Sequence, residues 1–467
     1  MIPPRLLRLR AALGPDAQLA LVGGAVRDEL LGRPHADWDL ATALLPEAVM
    51  ARARAAGFRV IPTGLQHGTV TVILDGEPVE ITTFRSDGDY RDGRRPVSVR
   101  LGVSLAEDLA RRDFTINAMA MPLDGGGLVD PHGGQADLRA GVIRAVGDPL
   151  RRFAEDGLRP LRACRFAAQL GFRIEPGTQA AIPARLDVAR KVAVERVLVE
   201  LTKLLTGAHP ELGLARLREG GLLDLWLLEL GPMKGCGQNR HHRYDVWDHT
   251  LEVARLAPPD PALRWAALLH DVGKPPARSV DAASGEAHFY GHEARSVELA
   301  GAILARLKAG HALSREVLAL VRHHGVHPEP AWSDAACRRL LKRLSEDGLS
   351  LDRWGAFRLA DQRAKGTEDP EREPRHAAVM ERLRALAAAG PALAARDLAL
   401  DGEALMALAG RKGGPWLGAL QARLLEAVLD EPARNTAEEL AALAREILAS
   451  PAGSAPPPGP PGPPRGR

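Results

Sequence analysis

Cysteine is scarce in this chain, with three thiols in 467 residues, at Cys164, Cys236 and Cys337. They lie far apart and have no C-x-x-C spacing, which argues against a disulfide-linked scaffold and against a cysteine zinc site. We therefore expect the protein in a reducing compartment, the cytoplasm.

Aromatic residues are also rare, at 4% of the sequence, although 45% of it is hydrophobic. This composition favours helix-rich packing over sandwiches and barrels, which are built from aromatic and β-branched strands. The chain has no apolar run long enough to span a membrane, and the first apolar run is broken by Pro15, Asp16 and Gln18, which makes a poor signal peptide. We expect two to four mainly helical domains and no membrane partner.

The excess of one charge is small as well, because 62 basic and 59 acidic residues give a net charge of +3. A nucleic acid would then be bound by local clusters of basic residues rather than by the field of the whole molecule. The sequence does not indicate an oligomeric state.

The most informative stretch is LVGGAVRDELLGRPHADWDLAT, which begins at Leu21. An apolar run ends in Gly23 and Gly24 before a helical pattern, which predicts a strand, a tight turn and a helix whose first N–H groups could hold phosphate. Further on, Asp37 and Asp39 point to the same face of a strand, and a divalent cation can neutralise such a pair. The glycine turn alone is compatible with an ordinary turn before a helix, and the pair of Asp37 and Asp39 alone is compatible with an exposed acidic strand. Together the two features predict a phosphate site beside a metal site.

This stretch resembles the signature of the class II nucleotidyltransferases, the bacterial tRNA CCA-adding enzymes and poly(A) polymerases. The resemblance implies magnesium at Asp37 and Asp39, and contacts from Gly24 and Arg27 to the triphosphate of the incoming nucleotide. Two strands, TVTVIL and PVEITTF, follow and are joined by a turn. In the second strand, Glu80 is the expected third acidic position of the catalytic site; the alternative is an ordinary residue facing solvent.

Two further segments belong near this site. RRDFTINAMA, Arg111–Ala120, matches the next family motif, and the resemblance assigns a nucleotide contact to Arg112, with Asp113 as its orienting partner. The charged, glycine-rich segment Arg85–Arg100 has no helical or strand period and is expected to be a mobile loop. The family resemblance implies that such a loop helps the switch from cytidine to adenosine.

The run AEDGLRPLRACRFAAQLGF carries Asp156, Arg159, Arg162 and Arg165 at every third position, which predicts one shared helical face. A carboxylate accepts from an exocyclic amine and a guanidinium donates to a ring acceptor, so an Asp and Arg pair can imitate a base-pairing edge for C or A. The resemblance places the protein template on Asp156 and Arg159, with further nucleotide contacts from Arg162 and Arg165. The alternative is a salt-bridged amphipathic helix.

The template run departs from the family pattern at Gly157 and Pro160. Proline is tolerated in the first turn of a helix but kinks a helix that begins earlier. The later motif ERVLVELTKLL resembles the one that closes the catalytic half in the family. Its Glu195 and Arg196 are expected to brace the template helix.

A second group of motifs contains ten of the fifteen histidines, all between residues 241 and 327. VWDHTLEV, LLHDVGKP, YGHEARS, VRHHGVHP and, further on, RLADQRAKG together resemble an HD phosphohydrolase domain. Imidazole and carboxylate ligands suit ions such as Mn, Ni or Fe. The residues implied to hold a first ion are His249, His270, Asp271 and Asp361, and those implied to help bind a second are His292 and one of His323 and His324, of which His324 is taken as the candidate.

These features predict an α+β protein with a nucleotidyltransferase head, in which helices accompany a mixed β-sheet, followed by an all-α neck and body and an α-helical HD domain. The expected ranges are the head at 1–142, the neck and body with the template at 143–232, the HD domain at 233–370, a helical tRNA-binding region at 371–450, and a disordered Pro- and Gly-rich tail at 451–467.

The expected activity is addition or repair of the 3′ CCA end of tRNA from CTP and ATP, with magnesium and without a nucleic-acid template. We also expect an HD phosphohydrolase activity, with a transition metal (Mn, Ni or Fe). One alternative is a poly(A) polymerase or an enzyme of the same family that adds only A. A second alternative is a metal-dependent HD phosphohydrolase whose head merely binds RNA.

Overall fold

The computed structural model describes residues 2–34, 38–88, 98–239 and 242–449. They form two compact units, one with the residues up to 234 together with 302–309, the other with 235–301 and the residues from 310 onward. The first unit contains the main β-sheet and the second is almost entirely helical. The predicted α+β class is confirmed. In the described ranges, no helix is both long and apolar enough to cross a membrane.

The strands of the first unit are short and are gathered in one sheet and two small ladders. They are β1 Ala20–Val22, β2 Asp39–Thr42, β3 Arg59–Ile61, β4 Thr69–Leu74, β5 Glu77–Thr83, β6 Arg85–Asp87, β7 Val99–Leu101, β8 Ala120–Pro122, β9 Val142–Ile143 and β10 Arg173–Ile174. The sheet has the order β3-β4-β5-β2-β1-β8, in which β2 and β5 are parallel and the other neighbours antiparallel. The predicted mixed sheet is therefore present.

The predicted hairpin shows how local sequence sets the sheet. Asp75 and Gly76 join β4 to β5, and both have positive φ, 52° and 87°. Two such residues are typical of the tight turn whose twist matches that of the flanking strands. In β5, Val79 and Ile81 are buried and Glu80 between them is exposed. The hairpin therefore directs Glu80 away from the core.

The helices of the first unit surround the sheet and continue beyond it into an all-helical part. They are α1 Pro4–Leu13, α2 Gly24–Leu30, α3 Pro46–Ala55, α4 Leu105–Ala110, α5 Gly134–Ala140, α6 Pro149–Glu155, α7 Arg159–Leu170, α8 Pro176–Ala181, α9 Leu186–Ala189, α10 Val194–Leu205, α11 Pro210–Glu219 and α12 Leu223–Trp226. The start of α4 is fixed by a capping box between Ser104 and Glu107, which satisfies two backbone N–H groups at the helix end.

Part of the expected mobile loop is regular. Its ends form β6 and β7, which pair antiparallel with Arg85 opposite Leu101 and Asp87 opposite Val99. The prediction of a segment without strand structure was wrong for these ends, because cross-strand hydrogen bonding does not require an alternating pattern. Residues 89–97 lie outside the described residues, as do Asp37 and the tail from 450.

The second unit consists of helices with one two-stranded ladder. Its elements are α13 Val246–Leu256, α14 Pro261–Leu269, α15 Lys274–Ala277, β11 Ser279–Val280, β12 Ala287–His288, the first part of α16 His292–Arg306, α17 His311–His323, α18 Asp334–Glu346, α19 Leu351–Arg363, α20 Arg372–Ala388, α21 Gly402–Ala409, α22 Pro415–Asp430 and α23 Ala437–Ala449. Trp265 and Trp354 are fully buried among these helices. A separate apolar cluster joins α21, α22 and α23.

Candidate nucleotide and metal sites

Two predicted catalytic carboxylates lie side by side in the head. Asp39 on β2 is directly opposite Glu80 on β5 in the parallel pairing, and both side chains are exposed. Leu40 and Ile81, the next pair in the register, are buried and hold the two strands against the core. Asp37, the third predicted member, lies outside the described residues.

Cationic side chains share a cavity with these carboxylates. Asp39 and Glu80 line a cavity of about 200 Å³ together with Arg85, Arg111 and Arg112. Carboxylates at one wall and guanidinium groups at another provide ligands for a hard cation and for the phosphate oxygens that it bridges. The donor set therefore fits a magnesium-bound triphosphate.

Asp108, which the sequence analysis did not single out, holds the arginines of this cavity. It is 1% exposed and accepts hydrogen bonds from Arg111 at 2.9 Å and from Arg112 at 3.2 Å. The prediction that Asp113 orients Arg112 was wrong, because Asp113 accepts from Arg162 and Asn117 instead. Burial lowers the pKa of Arg112, and Asp108 partly offsets that effect. The Nε of Arg112 is buried without a hydrogen-bond partner among the described residues. The sequence contained one signal for this role: Asp108 precedes the two arginines by three and four residues, the spacing at which side chains on a helix can pair.

The glycine turn approaches the same arginine. Gly23 has φ 70° and ψ −134°, and α2 begins at Gly24. The backbone conformation therefore favours glycine, and a Cβ at Gly23 would lie 2.9 Å from the Nη1 of Arg112 and would displace that guanidinium. Arg27, one turn into α2, donates from Nη1 to the Oδ1 of Asn117 at 2.9 Å. The predicted strand, turn and helix thus bring Gly24, Arg27 and Arg112 to one side of the head.

Replacing Gly23 with alanine is expected to destabilise the head by about 1–3 kcal/mol, because alanine is strained at this φ and ψ. It should also displace Arg112 and raise the KM for nucleotide. Gly32 is the matched control: it has φ 64° and open space around its Cβ position. Gly32→Ala should cost stability but leave KM unchanged, as measured by denaturant unfolding and nucleotide kinetics. An equal rise of KM in both variants would contradict the contact with Arg112.

The predicted template stripe does not lie on one helix. Helix α6 ends at Glu155, Asp156 is extended with φ −139°, and α7 begins at Arg159. The carboxylate of Asp156 accepts from the N–H of Leu158 at 3.0 Å, a local bond that competes with helix formation. Pro160 therefore falls in the first turn of α7, where it is tolerated. The single-helix prediction was wrong at Asp156.

Gly157 lies between α6 and α7, where close packing leaves no room for a side chain. A Cβ at Gly157 would lie 2.5 Å from the carbonyl oxygen of Val188. Asp156 also accepts from the Nη2 of Arg196 at 3.2 Å, as expected for a brace from α10. Glu195, the other predicted brace, accepts from Lys308 at 2.6 Å.

Arg159 is almost buried and is fixed by three acceptors. Its guanidinium donates to the Oε2 of Glu155 at 2.5 Å and to the carbonyl oxygens of Arg152 at 2.9 Å and Arg111 at 3.0 Å. A guanidinium has five N–H donors, so the others remain for a ligand. Asp156 and Arg159 thus come from opposite sides of the helix break, each held by its own partners.

The two later arginines of the run differ in exposure. Arg162 donates from Nε to the Oδ2 of Asp113 at 2.8 Å and its side chain is 32% exposed. Burial would raise the pKa of Asp113, but Arg162 and Asn117 hold it well below its usual range. Arg165 is buried, with its guanidinium 3.9 Å from the centre of the Phe166 ring.

Glu200 on α10 connects these arginines and was missed by the sequence analysis. Its carboxylate lies 2.6 Å from the Nε of Arg165 and 3.8 Å from the Nη1 of Arg162. Its position four residues after Arg196 on an amphipathic helix was the only sequence signal.

The histidine-rich motifs converge on a buried cluster in the second unit. The Nε2 of His249 lies 3.0 Å from the Oδ1 of Asp361 and 3.4 Å from the Nε2 of His270. The Nε2 of His270 lies 3.2 Å from the Oδ2 of Asp271. His249, His270 and Asp271 form one group whose ligand atoms are close enough to hold an ion.

Asp271 also belongs to a second group, with His292 and His324. The Nε2 atoms of these histidines are 3.2 Å apart and lie 3.7 Å and 3.5 Å from the Oδ1 of Asp271. His323 instead lies 2.6 Å from Asp347, so the geometry selects His324 from the predicted alternatives. Asp271 thus presents one oxygen to each group, as a carboxylate that bridges two ions would.

Backbone carbonyls orient the four imidazoles in the same way. The Nδ1 atoms of His249, His270, His292 and His324 each lie 2.6–3.2 Å from a carbonyl oxygen. A ring that donates from Nδ1 keeps the lone pair of Nε2 for a metal. Both oxygens of Asp271 are buried without a well-aligned hydrogen bond, although Lys274 lies 2.8 Å away. The donor set therefore fits divalent transition-metal ions.

The lowered pKa of Asp271 agrees with a role as a metal ligand. Burial would raise the pKa, but His270 and Lys274 hold it well below the usual range of a carboxyl. The same applies to Asp361, whose pKa is lowered mainly by His249 against the effect of burial. Both side chains are thus available as anionic ligands at neutral pH.

Models of known protein families match three parts of the chain. The family model of the poly A polymerase head domain matches residues 19–144, that of a probable RNA and SrmB-binding site of polymerase A residues 171–233, and that of the HD domain residues 246–385. The head and its site therefore define a nucleotidyltransferase of the poly(A) polymerase head class, followed by an HD domain.

Individual relatives of this chain are CCA-adding enzymes. A CCA-adding enzyme of Geobacillus thermodenitrificans is 37% identical over 421 residues, 90% of each chain, and one of Levilactobacillus brevis is 51% identical over 252 residues, 54% of this chain and 59% of the relative. The crystal structure of the Bacillus stearothermophilus CCA-adding enzyme in complex with CTP has a TM-score of 0.73 and 31% identity, and covers 96% of this chain and 98% of that one. The chain belongs to the CCA-adding enzyme family.

Proposed function

We propose that this protein adds or repairs the 3′ CCA end of tRNA from CTP and ATP, without a nucleic-acid template. The observation that carries the proposal is the register of Asp39 and Glu80 beside three arginines in one small cavity. A relative from Geobacillus thermodenitrificans, named CCA-adding enzyme, matches 90% of this chain. A helical body follows the head, and we propose that it and the C-terminal helices bind tRNA.

The test is to incubate the protein with tRNA that ends at the discriminator base, and to supply labelled CTP and ATP separately and together. A CCA-adding enzyme incorporates C from CTP alone and A only when CTP is also present. Incorporation of A only into a second tRNA that already ends in CC would favour an A-adding enzyme, and a long A tract a poly(A) polymerase. No incorporation of either would overturn the proposal.

We assign the metal and phosphate contacts of the head as follows. Asp37, Asp39 and Glu80 hold magnesium, and Gly24, Arg27 and Arg112 face the triphosphate. When bound, magnesium supplies Lewis-acid stabilisation of the phosphates and lowers the pKa of the attacking hydroxyl. Arg112 neutralises negative charge from the other side, with Asp108 keeping its guanidinium in place.

We further propose that Asp156 and Arg159 read the base, with Arg162 as a third contact. Arg162 is partly exposed and is oriented by Asp113. Arg165, the fourth predicted contact, is as buried as Arg159 and lies against Phe166 and Glu200. We propose that it too contacts the nucleotide, while it also positions the Phe166 ring.

Arg159→Ala is expected to relax nucleotide choice while lowering the rate with CTP and ATP. A lost charge-assisted hydrogen bond in a desolvated pocket costs about 1.5–3 kcal/mol, or roughly a tenfold to hundredfold change in discrimination. The measurement is kcat/KM for all four nucleotides on one tRNA. Arg151→Ala, an exposed change on α6, is the control. Unchanged ratios with a uniform rate loss would show that Arg159 only supports the fold.

For the second unit we propose a metal-dependent phosphohydrolase activity. His249, His270, Asp271 and Asp361 hold a first ion, and His292 and His324 help hold a second. Mn, Ni or Fe would supply Lewis-acid chemistry for hydrolysis of a phosphoester. The buried, oriented Nε2 atoms and the two oxygens of Asp271 support this assignment.

The domain ranges stay a proposal: a head at 1–142, a neck and body at 143–232, an HD domain at 233–370, a tRNA-binding region at 371–450 and a tail at 451–467. The division of the described residues at 234 and the end of the head match at 144 support two of these boundaries. All three cysteines are buried free thiols, which supports the cytoplasm as the proposed compartment.

A further inference from the structure

A cavity of about 330 Å³ lies in the second unit, lined by α19, α20, the segment between them and Pro328. None of its lining residues belongs to the two groups of metal-type ligands. Its volume is at the lower end of the range of small-molecule sites, about 300–1,000 Å³. It therefore has room for a ligand of mononucleotide size, and its chemistry is distinct from that of the metal groups.

The charge of the lining is strongly positive. Four cationic side chains, Arg358, Lys365, Arg372 and Arg375, line the cavity, against one carboxylate, that of Asp369. Asp369 lies 3.5 Å from the Nη1 of Arg375, so it partly neutralises that residue. The remaining excess of positive charge favours an anion, and guanidinium groups suit the geometry of phosphate.

Arg358 distinguishes this cavity from an exposed basic surface, because its charged side chain is buried. It is 3% exposed, donates to the carbonyl oxygen of Val326, and lies over the ring of Trp354 at 5.4 Å. Neither the carbonyl nor the ring neutralises its charge. Burial lowers the pKa of Arg358 to about 10, and Asp361 offsets this only in part. A buried cation with so little compensation is stabilised by an anionic ligand.

The rest of the lining indicates more than a bare phosphate. The Oε1 of Gln362 is buried without a hydrogen-bond partner among the described residues. It needs a donor, such as a ribose hydroxyl or an exocyclic amine of a base. Pro328, Val379 and Met380 add apolar surface to the same cavity. A phosphate, a sugar hydroxyl or base amine, and an apolar face are together the features of a nucleotide.

We propose that this cavity binds a nucleoside monophosphate. Its phosphate lies among Arg358, Lys365 and Arg372, and its sugar or base donates to Gln362. The proposal concerns binding and does not depend on hydrolysis at the metal groups. Arg358 and Gln362 lie on α19 within one turn of Asp361, and Lys365 follows the end of that helix, so the bound nucleotide would lie beside the metal groups.

The test is a calorimetric titration of the full chain with AMP, in buffer that contains magnesium but no transition metal, with saturating CTP to fill the head. The double variant Lys365→Met and Arg372→Met changes half-exposed residues and keeps the buried arginine. We expect it to bind AMP at least about tenfold more weakly, since two charge-assisted contacts are lost. Arg384→Met, on the same helix α20 and paired with Asp352, should bind within twofold of the unchanged protein.

Two further titrations distinguish a site for a nucleotide from a site for phosphate alone. Gln362→Ala should weaken AMP and leave inorganic phosphate unchanged, and inorganic phosphate should bind at least about tenfold more weakly than AMP. Equal affinity for both ligands would overturn the nucleoside assignment. No AMP binding, or equal binding by the double variant, would overturn the site. Addition of C and A to tRNA should be unchanged in the single variant Lys365→Met, which lies outside the proposed tRNA-binding region, so failure of the cavity proposal is distinguishable from failure of the proposed function.

Discussion

Replacing Asp39 with alanine is expected to abolish addition of both C and A. Asp39 and Glu80 lie opposite each other, and with Asp37 are proposed to hold the magnesium, so Asp39→Ala removes one of the three proposed ligands. The loss of several kcal/mol of transition-state stabilisation corresponds to a rate reduction of about a thousandfold or more. The measurement is incorporation of labelled CTP and ATP into tRNA under single-turnover conditions.

The control separates the catalytic loss from damage to the sheet. Asp75→Ala changes an exposed carboxylate in the β4–β5 turn, where it pairs with Arg8, and should keep nearly full activity. Metal-dependent phosphoesterase activity should survive in Asp39→Ala, and His270→Ala should show the reverse pattern. If a folded His270→Ala variant also lost nucleotide addition, the assignment of two separate sites would be wrong.

The second large effect is expected from Asp271→Ala. Because its two oxygens face different histidine groups, this single change removes a ligand from both proposed ions. Loss of an outer-sphere partner already weakens metal binding about 10–100-fold, so loss of a shared ligand should exceed that. Equilibrium dialysis against Mn²⁺, with excess Mg²⁺ to occupy the head, should show two Mn²⁺ ions per chain falling to none, and phosphoesterase activity should be lost.

A carboxylate outside the cluster provides the comparison. Asp347 pairs with His323 and Arg322, and contributes to neither metal group. Asp347→Ala should therefore retain both ions, although it leaves His323 without its partner. Retention of two Mn²⁺ ions by Asp271→Ala would refute the bridging role, and loss of both by Asp347→Ala would show that the titration reports folding rather than ligation.

Much of the head could be predicted because its signals are local. The glycine pair, the β4–β5 turn and the alternation around Glu80 each depend on a few neighbouring residues, and the structure contains all three. The pairing of β2 with β5 depended on the family resemblance, since no local pattern states which strands are neighbours. The members of the two proposed metal groups were likewise available from the resemblance to an HD phosphohydrolase domain.

The remaining features depend on contacts between distant segments. The break at Asp156 was missed because a spacing of three fits a helix, while the competing bond to the N–H of Leu158 leaves no periodic signal. Asp108 and Glu200 were missed because a buried acid on an amphipathic helix looks like a solvated one until its partners are known. The choice of His324 over His323 required the position of Asp347.

The pairing of Asp39 with Glu80 also has a consequence for folding. The two residues are brought together by strands that are far apart in sequence, with α3 and the strands β3 and β4 between them. Closing that long segment costs chain entropy before any contact between the carboxylates is made. Nucleotide-binding competence should therefore appear only with the completed sheet, so a refolding head gains activity in its final cooperative step rather than gradually.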